Sequence, residues 1–155
     1  MERFTNSLRS SVEHKDWYVA LATALTLPDI CGALITPGAG NKVRYSAWFN
    51  NWMAPLYGGM LSGDECFQLR CGYLHAGEAN IAGGARKILD DFHFIKPPRG
   101  GAEVHNNRFN RTLQLQVDIF CLEMADAVDE WALSVTEEED IQQRMKELLY
   151  IHSLN

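Results

Sequence analysis

Thr112-Leu113-Gln114-Leu115-Gln116-Val117-Asp118-Ile119-Phe120-Cys121-Leu122-Glu123-Met124-Ala125-Asp126-Ala127-Val128-Asp129-Glu130-Trp131 changes period partway along, and that change decides the fold. Its first six residues alternate apolar with polar, the pattern of a strand with one buried face. From Val117 onward the apolar positions Val117, Phe120, Met124, Val128 and Trp131 recur at three and four, which is one stripe of a helix. Asp118, Glu123, Asp126, Asp129 and Glu130 lie mainly off that stripe and are expected on a solvated face. A strand running into the longest helix predicts a mainly helical bundle with a small β insertion before its last long helix.

The rest of the chain reads outward from there. Residues 92–96, Phe-His-Phe-Ile-Lys, form a second short strand closed by a Pro-Pro-Arg-Gly-Gly loop. The two strands are expected to pair as a small antiparallel ribbon, with His93 on a strand face and His105 as a polar loop contact. Upstream, Asp16 suits the cap of a helix beginning at Trp17, which Pro28 should kink or interrupt before a further turn or two. Residues 36–40 are a loop by composition. A second helix is expected over 42–53, where Tyr45, Trp48, Phe49 and Trp52 form a core stripe. A third should begin after Ser62-Gly63 and end near Ala76-Gly77. A short helix is expected over 86–92, and the acidic run from Glu137 starts a final one over about 137–150. Arg9, among serines, falls near an end expected to be mobile.

Length and composition bound the function. The chain has 155 residues, 46% hydrophobic and 22% charged, which suits one globular domain over 1–155 and not disorder. Its net charge of −6 argues against a chain-wide grip on nucleic acid. The acidic excess comes from residues 112–155, with two Lys/Arg against ten Asp/Glu. The middle of the chain is a positive island that includes Arg86, Lys87, Lys96, Arg99, Arg108 and Arg111, the candidate RNA-binding residues. No apolar run reads as a bilayer span, and the N-terminus does not read as a secretory signal. Cys31, Cys66, Cys71 and Cys121 are scattered without a C-x-x-C pair, which fits reduced core thiols and a cytoplasmic protein. No metal site and no cofactor are expected, because the phosphate-loop, zinc-helix and nucleophile-elbow signatures are absent.

What remains for chemistry is Leu69-Arg70-Cys71-Gly72-Tyr73-Leu74-His75-Ala76-Gly77. It sets a permanent cation five residues before an imidazole on an apolar helix with a terminating Gly. Such a pair suits RNA cleavage: the imidazole takes the 2′-hydroxyl proton and the guanidinium holds charge building on the phosphoryl oxygens. Arg–His pairs at comparable spacing recur at Arg9/His14, Arg86/His93 and Arg99/His105, but only Arg70/His75 sits in such a helix. A purely architectural reading stays open, with Arg70 paired to Asp64 or Glu65 and His75 capping the helix.

This stretch resembles the motif helix of the HEPN superfamily (higher eukaryotes and prokaryotes nucleotide-binding domains), whose motif is Arg, four to six residues, then His. The resemblance implies an all-helical domain and, in many members, a metal-independent endoribonuclease of toxin–antitoxin or antiviral-defence systems. It assigns catalysis to Arg70 and His75. Active members usually carry a polar residue after the Arg, where this chain has Cys71. A catalytically inactive HEPN-like interaction or nucleotide-binding module is therefore the alternative. Five residues on one helix separate two side chains by about 140°. A homodimer that brings two such helices together is accordingly expected, with RNA, an antitoxin or another protein as partner and no membrane.

Overall fold

The structure, a computed structural model, describes residues 1–75 and 91–152. It is mainly helical, with a three-stranded sheet before the last long helix. The elements are α1 (Glu2–Glu13), α2 (Trp17–Ile35), α3 (Asn41–Trp52), a 3-10 turn (Ala54–Tyr57), α4 (Gly63–His75), β1 (Phe92–Ile95), β2 (Asn107–Phe109), β3 (Thr112–Gln116), α5 (Val117–Ser134) and α6 (Glu139–Lys146).

The central helix is α2, which packs against α1, α3, α4 and α5. By length and composition alone it could cross a membrane, contrary to the expectation of no such run. Here it is a core helix: Ala20, Leu21, Ala24, Leu25, Leu27, Cys31 and Leu34 are buried among its neighbours. Pro28 lies within α2 and does not end it. Losing one backbone hydrogen bond there costs about 3 kcal/mol, which is offset by the burial of Leu25, Leu27 and Cys31 on either side. Gly32 permits the close crossing of α2 and α3, since a Cβ at this position would meet the Arg44 carbonyl oxygen at 2.5 Å.

The segment around Arg9 is helix α1, not a mobile end. Phe4, Leu8 and Val12, one turn apart, supply its inward stripe; Leu8 is fully buried. Arg9 bridges Asp126 at 2.6 Å and Asp129 at 2.8 Å, and the Thr5 hydroxyl donates to Asp129. Those carboxylates of α5 therefore dock α1, and the expected solvated face is partly an interface. The core stripe of α5 is as its spacing indicates, with Phe120, Met124, Val128 and Trp131 buried and Trp131 edge-on to Trp48.

The ribbon is corrected in one respect. β1 pairs with β3 in parallel, Phe92 opposite Leu113 through Ile95 opposite Gln116. The antiparallel partner of β3 is β2, on its other edge. The chain reverses twice between β1 and β3, so those two strands run the same way. The second reversal is a two-residue turn, Asn110-Arg111, with both residues at positive φ, which matches the twist of a tight hairpin. Leu113 and Leu115 face the core, as the alternation indicates. No loop intervenes between β3 and α5: Gln116 ends the strand and precedes the first helical residue.

Two helix boundaries are set by local chemistry. Ser62 and Glu65 form a reciprocal capping box at the start of α4: the Glu65 carboxylate accepts from the Ser62 N–H and the Ser62 hydroxyl accepts from the Glu65 N–H. The last helix, α6, is shorter than expected and lies along α2, where Arg144 donates to the Leu34 carbonyl at 2.7 Å. The short helix expected over 86–92 lies largely outside the described residues.

Candidate functional site

Arg70 lies two turns into α4 with its side chain 17% exposed. It does not pair with Asp64 or Glu65. Helical neighbours sit three and four residues away, and those carboxylates are six and five residues back. Asp64 instead accepts from Ser46 and Lys42, which hold its carboxyl below the usual range. Glu65 serves the capping box. The partner of Arg70 comes from α2: Nη2 lies 3.3 Å from Asp29 Oδ2, while Arg44 Nε of α3 approaches the other Asp29 oxygen at 2.7 Å. Two guanidiniums thus share one carboxylate, and among the described residues the group keeps one uncompensated positive charge. Arg70 Nε is buried without a partner among the described residues, and the guanidinium stands 5.8 Å from the Phe67 ring centre.

His75 is the last helical residue of α4; its side chain, like all of Arg86 and Lys87, lies outside the described residues. The preceding turn is anchored, because the Tyr73 hydroxyl donates to the Tyr18 carbonyl at 2.8 Å. Cys66, one turn before Arg70, is no nucleophile. Burial pushes its thiol up to about 12, and it lies 3.3 Å from the Tyr45 hydroxyl. All four cysteines are free, and Cys71 is half-buried.

The positive island divides into two clusters. Arg108 and Arg111 line a shallow cleft that also holds Glu65 and Asp91, so its charges balance. Lys96 and Arg99 line a larger one with Lys15, where cations outnumber carboxylates. Only the second is suited to collecting an anion.

Sequence reasoning missed one polar cluster. The Tyr57 hydroxyl donates to Glu123 Oε2 at 2.6 Å, and His105 Nε2 lies 3.2 Å from the same oxygen. His105 Nδ1 accepts from the Gln116 N–H at 3.1 Å, which leaves the ring proton on Nε2, facing the carboxylate. The His105–Glu123 approach is close in distance but poorly directed, so Nε2 makes no proper hydrogen bond among the described residues. Burial, then the neighbouring Glu123, drives the Tyr57 hydroxyl pKa upward, so it remains a neutral donor. Glu123 is therefore not on a solvated face. Three segments of the chain meet here, and the reading of His105 as a polar loop contact and the position of Glu123 beside the Phe120–Met124 stripe hinted at it. The cluster anchors the loop before β2 to α5.

Among the described residues, no group of three or more His, Cys, Asp or Glu side chains is arranged to hold a metal ion. Compared with protein-family models, curated proteins and solved structures, the chain matches none.

Proposed function

We propose that this protein is a HEPN-like endoribonuclease that cleaves RNA without a metal ion, acting as a homodimer in a toxin or antiviral-defence setting. The observation that carries this reading is the Arg44–Asp29–Arg70 group, which ties the arginine of the motif helix to α2 and α3. Asp29 fixes the direction of the Arg70 guanidinium, yet it is shared, so positive charge remains for a phosphoryl group. His75, five residues on, takes the proton of the 2′-hydroxyl. The 2′-oxygen then attacks the adjacent phosphorus, and the 5′-oxygen leaves as a hydroxyl after gaining a proton. The products carry a 2′,3′-cyclic phosphate and a 5′-hydroxyl.

The test is cleavage of single-stranded RNA by purified protein in excess EDTA, with end-group analysis. His75→Ala should lower the rate by about 10²–10⁴-fold, and DNA, lacking the 2′-hydroxyl, should be untouched. Arg70→Ala should also abolish cleavage, but it removes one of the two guanidiniums on the mostly buried Asp29 carboxylate, so its folded fraction must be measured alongside. Cleavage that stops with EDTA or survives His75→Ala defeats the proposal.

One observation favours a second reading, a catalytically inactive HEPN-like module that binds a nucleotide or a protein such as an antitoxin. Arg70 is largely enclosed and committed to Asp29, the arrangement of a structural arginine. Absence of cleavage for every RNA tested, with the fold intact, selects it.

A further inference from the structure

The cleft where α1 turns into α2 is the strongest unassigned feature of the molecule. It has a volume of about 690 Å³, within the range of small-molecule sites, and is lined by Lys15, Trp17, Lys96, Pro97, Arg99 and Asp118. Lys15, Lys96 and Arg99 are exposed, and none makes an ion pair among the described residues. Their positive charge is therefore available.

Two further observations point to a ligand. Asp118 lines the cleft, and its enclosed Oδ1 has no hydrogen-bond partner among the described residues, so the carboxylate keeps acceptor capacity that the protein does not use. Lys15 occupies the turn after α1 at φ 61°, the left-handed position where glycine is the usual residue. A long cationic side chain is kept there at a conformational cost, and strain of that kind concentrates at functional sites.

We infer that this cleft binds a nucleotide, free or as one unit of an RNA chain. The phosphate sits among Lys15, Lys96 and Arg99. The base lies against the half-buried Trp17, for which every base offers a π-face. A ribose hydroxyl or base amino group donates to the Asp118 carboxylate. The inference goes beyond cleavage, because binding here requires neither Arg70 nor His75. The Tyr73–Tyr18 hydrogen bond nevertheless ties the last turns of α4 to the helix end that carries Trp17.

The experiment is calorimetric titration of the full chain with AMP, inorganic phosphate, adenosine and an oligoadenylate RNA. AMP should bind at least ~10-fold more tightly than phosphate or adenosine, because a charge-assisted contact is worth about one decade or more in affinity. The double variant Lys96→Ala/Arg99→Ala should lose ~10-fold or more in AMP affinity. Asp118→Ala should weaken AMP but leave phosphate binding equal or stronger, since it removes a negative charge. Lys15→Gly separates site from scaffold: it relieves the left-handed strain, so the melting temperature rises while AMP affinity falls. Oligoadenylate binding ~10-fold tighter than AMP identifies an RNA chain as the source, and equal or weaker binding identifies a free nucleotide. No saturable binding of AMP or oligoadenylate at about 1 mM, or AMP affinity unchanged in both the double variant and Lys15→Gly, overturns the inference. Phosphate binding as tight as AMP also overturns it. Loss of RNA cleavage with nucleotide binding retained would count against the ribonuclease proposal alone.

Discussion

Arg44 and Arg70 around Asp29, and Lys15, Lys96 and Arg99 around their cleft, show opposite uses of the same kind of side chain. The first two are mostly enclosed between α2, α3 and α4 and share a carboxylate. Their charge is fixed in place, and removing Asp29 leaves two cations facing each other. The other three are exposed and make no ion pair among the described residues. Cations of the first kind hold helices together and orient one another. Those of the second kind are free to meet a ligand.

Predictions follow from how dry the enclosed side is. The largest effect should come from alkaline pH. Burial pushes the thiols of Cys66 and Cys121 up to about 12 from an ordinary value of 9.0, and Tyr45 and Tyr57 are raised as well. Between pH 9 and 12 the unfolded chain gives up these protons while the folded chain keeps them, so stability falls as pH rises. Each thiol contributes a loss on the order of 4 kcal/mol by the end of that window. Urea unfolding from pH 8 to 11 reads it; a flat profile would break the contrast.

Next comes Asp29→Ala, which leaves Arg44 and Arg70 facing each other without their carboxylate and should cost about 3 kcal/mol in the same assay. Gly32→Ala should cost about 2 kcal/mol. Its Cβ would press on the Arg44 carbonyl and drive α3, with its guanidinium, away from Asp29. At the small end, Lys96→Ala and Arg99→Ala should each change stability by less than about 0.5 kcal/mol. A loss comparable with that of Asp29→Ala would mean the cleft residues are structural after all.

Legibility in the sequence followed the length of the pattern. β3 and α5 were readable because alternation and then a five-residue apolar stripe persist over twenty positions. β2 was not readable: its three residues are all exposed, so no buried face marked it. Without β2, the direction of β1 relative to β3 had no basis. α1 was obscured by its serines, although Phe4, Leu8 and Val12 were there to be seen. For the candidate site, residue types and helix placement were readable, but the partner of Arg70 was not. Asp29 lies 41 positions away, on a helix whose approach depends on Gly32. Lys15 escaped notice because it belongs to no local pattern, and Asp118 read only as part of a solvated face; only the folded chain brings them beside Lys96 and Arg99.

The docking of α1 on α5 bears on the order in which the chain folds. Arg9 meets Asp126 across 117 positions, Thr5 meets Asp129 across 124, and Arg144 meets Leu34 across 110. Helical proteins usually assemble quickly because their contacts are local, and the α2–α3–α4 group is of that kind. The α1–α5 seam must wait until nearly the whole chain has been gathered, so closing it is a late, entropically expensive event. Until then the faces of α1 and α5 that meet at this seam are open to solvent, and that interval is when the chain is most exposed to self-association.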